Sequence, residues 1–356
     1  MYGFARGSFH FLSRWMIWAK GIWVEFDFLI LKGLFISGVY KIKRRAYGSI
    51  ERYKARLVAK GFTQVEGVDF NETFAPVAKL VTVRCLLVVA VAKGWEIHQM
   101  NVNNAFLHRD LDEEVYMRLP PRYSSQRSGV VCRFKKSLYW LRQALCNWYA
   151  KLADSMRHYG FRQLGTDHSL FIINRDNVFL AALVYVDDIL VVGNNREQCT
   201  CFKRYLDQCF CIKNLGPVRY FLGIEVARME SGLFLNQRKY VLEILKECGM
   251  LGARPSTFPM EQHHWLTADS GTPLNDPSRY RRLVGCLIYL TITRPELCYP
   301  VHILSQFMQD PRQDHWDVVM RLSYDTSFNH EIFYNIRSVS HLLEDKEAIN
   351  SVLLFS

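Results

Sequence analysis

The stretch Leu180-Ala181-Ala182-Leu183-Val184-Tyr185-Val186-Asp187-Asp188-Ile189-Leu190-Val191-Val192 decides how this chain is read. Two apolar runs of strand length flank one acidic pair, the pattern of two buried strands joined by a tight turn. No Lys or Arg lies inside the stretch to neutralise the aspartates. Carboxylates among apolar neighbours are costly unless they reach water, a cation or a metal. Two readings follow. The pair is either a hairpin tip bathed in solvent or a ligand pair for hard divalent cations, which prefer oxygen donors. Two-metal phosphoryl transfer uses such a cluster, one ion activating the attacking hydroxyl and the other steadying the leaving group.

Working outward, apolar spacing predicts a buried helix over Val81–Ala92, a short strand over Trp95–Met100 and a helix over Leu138–Leu152. Beyond the acidic turn it predicts helices over Arg196–Phe210, Tyr240–Cys248, Tyr280–Leu290 and Pro300–Met308, with one strand over Tyr220–Ala227. Arg254–Pro277, with four prolines, reads as loop. Strands and helices interleave without a regular βαβ rhythm and without an internal repeat, so the fold class is α+β.

The chain has 356 residues, a formal net charge of +11 and 49% hydrophobic residues, a globular composition with room for two or three domains. The uncharged stretch Gly33–Tyr40 is far shorter than the ~20 apolar residues of a spanning helix, and no signal-peptide pattern opens the sequence; no membrane association is expected. Ten Cys in a chain of this size read as reduced thiols of an intracellular protein. The C-x-C spacings at Cys199/Cys201 and Cys209/Cys211 lack the partners of a zinc site. Charge is concentrated in Lys41–Phe62, where eight basic residues and one acid, Glu51, give +7. Alternation in Tyr53-Lys54-Ala55-Arg56-Leu57-Val58 and the turn signal Gly48-Ser49 predict a basic β-hairpin. It is either a charged edge that deters aggregation or a footprint for phosphates.

Tyr185-Val186-Asp187-Asp188 resembles the YxDD box of reverse transcriptases. Several further segments are similar to the reverse transcriptase part of copia-type LTR-retrotransposon polyproteins, in the same order and spacing. They are Tyr53–Gln64, Glu72–Lys79, Asn104–His108, Glu114–Met117, Tyr220–Val226 and Tyr280–Gly285. The resemblance runs from about Val39 to about Leu322. It implies a right-hand polymerase of fingers, palm and thumb, two Mg²⁺ ions held by Asp187 and Asp188, a primed RNA or DNA template and deoxynucleoside triphosphates. It further implies that Lys54 and Arg56 hold the incoming triphosphate, that Phe106 forms the wall beneath the sugar, and that Gln143 lines the nucleotide pocket. Leu222 and Gly223 correspond to the region gripping the primer end. Phe106 has a plainer reading as a core aromatic. By family, the protein is expected in the cytoplasm, and no protein partner is implied.

The sequence also departs from the family pattern. The family's first palm Asp stands here as Asn101, within His98-Gln99-Met100-Asn101-Val102. An amide keeps the shape and loses the charge, so about 3–5 kcal/mol of transition-state stabilisation, ~10²–10⁴ in rate, is at stake. Asp110 and Asp112 lie too far along the chain to substitute. Trp140 replaces a glycine, which is awkward if that position needs positive φ; Leu145 replaces a proline, Cys146 an arginine, and Arg109 a common glycine. The organisation expected is a non-family extension 1–38, fingers and palm 39–230, a thumb or connection-like region 231–322, and a non-family tail 323–356 in place of ribonuclease H. Three readings stay open: an active RNA-directed DNA polymerase, a nucleic-acid-binding remnant without catalysis, and an unstable translated fragment.

Overall fold

The computed structural model describes residues 15–19, 22–29, 36–44, 49–108, 110–111, 113–118, 131–229, 232–251, 266–325 and 332–335. Arg109, Asp112 and most of the tail expected at 323–356 (326–331 and 336–356) lie outside the described residues. The acidic stretch forms the predicted hairpin, strands Val178–Tyr185 and Asp188–Gly193, inside a six-stranded sheet. The strand order is Ile212–Pro217, Glu96–Val102, Asp188–Gly193, Val178–Tyr185, Leu170–Arg175, Arg162–Gln163. Leu180, Ala182, Val184, Ile189 and Val191 bury one face of it against the helices Ala144–Tyr159 and Arg196–Cys209. Trp148, Leu152 and Met156, spaced four apart, form the buried stripe of the first helix. Phe202 and Leu206 do the same for the second. Ala181 and Leu183 are buried on the opposite face, which explains why the strand reads as a continuous apolar run. Each large side chain so buried contributes about 1.5–3 kcal/mol.

The chain divides into two compact units, one of residues 1–79, 100–191 and 196–214, the other of 80–99, 192–195 and 215–356. In the first, the basic segment is a hairpin of Ile36–Arg44 and Ile50–Ala59, with Lys41 opposite Lys54, Lys43 opposite Arg52 and a register shift after Lys43. The N-terminal strands Trp15–Ala19 and Ile22–Leu29 join Val131–Phe134 and Tyr116–Arg118 in a four-stranded sheet. In the second unit, Leu80–Ala92 is the expected apolar helix. Helices Arg238–Glu247, Pro277–Leu290, Cys298–Ser305 and Gln313–Asp325 enclose a core built on Tyr280, Val284, Leu287, Leu304, Val319 and Leu322. Asp276 caps the Pro277 helix by accepting from the Ser278 N–H at 3.1 Å, with Pro277 at the first turn.

Two expectations are corrected. The single strand over Tyr220–Ala227 is two strands, Tyr220–Phe221 and Ile224–Met229, because Leu222 and Gly223 both take positive φ and reverse the chain. The helix expected from Leu138 begins at Ala144. Before it the chain makes successive turns, Leu141 N–H to Leu138 O and Ala144 N–H to Leu141 O, with Trp140 at φ 71°. Apolar spacing alone could not show this. The Tyr139 carbonyl is taken by the Ala59 N–H at 3.0 Å, a docking contact with the end of the basic hairpin.

That docking leaves no room at Gly61. A Cβ there would stand 1.8 Å from the Trp140 carbonyl oxygen, a backbone atom that cannot rotate away. Gly61→Ala is expected to cost about 2–4 kcal/mol in chemical denaturation, in the range of overpacked or backbone-strained sites; an unchanged midpoint would mean that the two backbones do not meet.

Candidate active site at the acidic hairpin

Val186 and Asp187 are the two residues between the paired strands, and Val186 has φ 57°. Positive φ at the first of two turn residues suits the right-handed twist of a hairpin but calls for glycine. For a β-branched side chain it costs about 1–2 kcal/mol. Both turn carbonyls are captured from outside the hairpin. The Trp148 indole Nε1–H donates to Val186 O at 2.7 Å, and the Val102 N–H donates to Asp187 O at 2.7 Å. Trp148 is itself 1% exposed and held edge-on by Phe210 at 5.1 Å, with the His108 ring 5.9 Å away. Burial lowers the His108 pKa, and its Nε2 lies 3.0 Å from Asn103 O.

Strand periodicity places two of the residues singled out in sequence, Asp188 and Asn101. Ile189 and Val191 enter the core, so Asp188 takes the opposite face; Met100 and Val102 enter the core, so Asn101 takes the opposite face as well. The Asn101 Nδ2–H donates to Asp188 Oδ1 at 3.1 Å. A carboxylate only accepts, so the amide must turn its nitrogen to it and its carbonyl away. Asp187 and Asp188 are half-buried. Among the described residues no three His, Cys, Asp or Glu side chains converge. Carboxylate oxygens of the Asp187 and Asp188 type are the donors that hard divalent cations prefer.

The remaining candidates fall as follows. Phe106 follows Asn104, at φ 52°, in the short turn Ala105–His108; its half-buried ring meets Tyr139 edge-on at 4.9 Å and packs against the core. Gln143 is 1% exposed. Its Oε1 accepts from Gln64 Nε2 at 3.0 Å and its Nε2 donates to Asp69 O at 3.1 Å, so the amide braces the 61–70 loop from within. Lys54 and Arg56 lie in the strand Ile50–Ala59, and their side chains lie outside the described residues. In the second unit, Leu222 and Gly223 form the positive-φ turn, with Tyr289 Oη donating to Leu222 O and its ring 3.6 Å from where a Gly223 Cβ would stand. Three residues were missed in the sequence: Trp148, Gln64 and Arg142. Trp148 read only as a member of an apolar stripe, since nothing local reveals that an indole N–H meets a turn 38 residues away.

A family model described as Reverse transcriptase (RNA-dependent DNA polymerase) matches residues 32–262. The Retrovirus-related Pol polyprotein from transposon RE2 of Arabidopsis thaliana is 45% identical over 285 residues, covering 80% of this chain and 20% of that protein. The corresponding polyprotein from transposon TNT 1-94 of Nicotiana tabacum is 35% identical over 294 residues, covering 79% and 22%. The chain thus spans about a fifth of the length of these relatives. Among solved structures, a foamy viral protease-reverse transcriptase in complex with ds DNA superimposes with a TM-score of 0.41 at 10% identity, over 82% of this chain and 46% of that one. With 231 of its 356 residues inside the family model, counting 32 through 262, the chain belongs to the reverse transcriptase family.

Proposed function

We propose that the chain is a template-directed DNA polymerase domain that binds a primed RNA or DNA template and deoxynucleoside triphosphates, and whose nucleotidyl transfer is attenuated by Asn101. The observation that carries this reading is the 3.1 Å hydrogen bond from the Asn101 amide to Asp188. It occupies a carboxylate oxygen with a neutral donor at the position where the family has a third carboxylate. Divalent ions, when bound at such a centre, lower the pKa of the attacking hydroxyl and neutralise charge on the leaving pyrophosphate. The chain's own residues supply the rest. Asp187 and Asp188 present the anionic oxygens, and Trp148 and Val102 hold the turn that aims them. Phe106 sets the floor beneath the sugar, where a ring excludes a 2′-hydroxyl. Lys54 and Arg56 of the basic hairpin meet the triphosphate, whose charge in the transition state calls for fixed cations. Gln143 supports the nucleotide pocket through its hydrogen bonds to Gln64 and the Asp69 carbonyl. Leu222 and Gly223 belong to the primer grip.

Primer extension on an RNA template with Mg²⁺ tests this directly. Asn101→Asp is expected to extend about 10²–10⁴-fold faster than the native chain, and Asp187→Asn in that background to abolish extension. A native chain as fast as the Asp variant would overturn the role given to Asn101. Trp148→Phe keeps most of the buried ring and deletes only the donor to Val186. In the Asn101→Asp background it is expected to lower kcat about tenfold or more, with KM for the nucleotide little changed, because a turn displaced by a fraction of an ångström misplaces both carboxylates. Equal losses in kcat and in thermal stability across temperatures would instead mark Trp148 as a packing residue only.

A further inference from the structure

The turn preceding the Trp148 helix carries a feature that polymerase chemistry does not use. Trp140 sits at φ 71° and is 63% exposed, so burial returns little for the strained backbone. Phe62, next to Gly61, is 72% exposed. Phe62 follows directly on Gly61, whose backbone lies against the Trp140 carbonyl. Arg142, two residues on, is exposed yet fixed. Its Nε–H donates to Gly61 O at 3.2 Å, its backbone N–H to Gln64 Oε1 at 2.9 Å, and its guanidinium lies 5.5 Å from the Phe70 ring centroid. Two exposed aromatic residues and one held cation thus stand on backbone segments that meet at Gly61, at the end of the segment that carries +7 of the chain's charge. Asp69, in the same loop, is engaged by the Val65 N–H at 2.8 Å.

We propose that Trp140, Phe62 and Arg142 form a binding site for an unpaired nucleic-acid strand, a base stacking on the indole and the adjacent phosphodiester held by the guanidinium. The proposal rests on the reading of the chain as a nucleic-acid polymerase domain and adds to it a strand contact that a glycine at position 140 cannot make. Stacking platforms of this kind are sequence-tolerant, because every base has a π face, and they work beside cations that track the backbone. Local strain kept at an exposed ring fits a site whose return comes only on binding.

Trp140→Gly is the deciding variant because it relieves the backbone instead of damaging it. It is expected to melt at a higher temperature than the native chain. In fluorescence anisotropy it is expected to bind a fluorescein-labelled oligothymidylate about tenfold more weakly, the loss of one base–aromatic stack, and a blunt duplex unchanged. Trp140→Phe should retain most of the single-strand affinity. Arg142→Gln should reduce the salt slope of single-strand binding by about 0.7, one phosphate contact. A Trp140→Gly chain that binds the oligothymidylate as tightly as the native one overturns the proposal. So does a native dimer in sedimentation that Trp140→Gly converts to monomer with single-strand binding intact, which would make this a protein interface. Loss of primer extension alone leaves this site standing, whereas failure of the native chain to bind either nucleic acid overturns both readings.

Discussion

The candidate active site depends on a backbone conformation that its own residues disfavour. Val186, β-branched and at positive φ, sits in a turn held by two donors that come from other elements, the Trp148 indole on its own carbonyl and the Val102 amide on that of Asp187. Each hydrogen bond contributes about 0.5–1.5 kcal/mol, comparable to the cost of the turn, so the hairpin tip keeps its shape only while the helix and the Asn101 strand are docked on it. The same docking sets which face of the sheet carries Asp188 and Asn101. Core packing of Met100, Val102, Ile189 and Val191 on one side is what brings the amide and the carboxylate together on the other.

A second backbone contact organises the neighbouring loop. The close approach of Gly61 to the Trp140 carbonyl, with Ala59 bonded to Tyr139, ties the end of the basic hairpin to the entry of the Trp148 helix. Around it the buried Gln64–Gln143 pair satisfies a polar interior that would otherwise cost several kcal/mol. Arg142 is held on the outside of the same knot. One region therefore serves as a strut on its buried side and presents aromatic and cationic groups on its exposed side.

Much of the fold was legible because it follows local periodicity. The acidic hairpin, the Leu80–Ala92 helix, the basic hairpin and the helices flanking Trp148, Phe202 and Val284 all show the strand or helix repeat that their burial requires. Errors fell where local pattern and tertiary docking disagree. Leu138 to Gln143 has helical spacing, yet its Tyr139 carbonyl is spent on Ala59; Tyr220 to Ala227 reads as one strand, yet Leu222 and Gly223 reverse it. The strand Ile22–Leu29 was passed over although Val24-Glu25-Phe26-Asp27-Phe28 alternates apolar and acidic residues with the strand period.

From the amino acids alone come the family, the acidic pair, an amide at Asn101 and the concentration of positive charge, since these are properties of residue type and order. The tertiary structure alone decided what those residues touch. Asn101 donates to Asp188 across 87 positions, Trp148 reaches Val186 across 38, and Gln143 is closed inside by Gln64 across 79. Such pairings are fixed by how buried faces of distant elements pack. No local repeat encodes the partner of a hydrogen bond made between them.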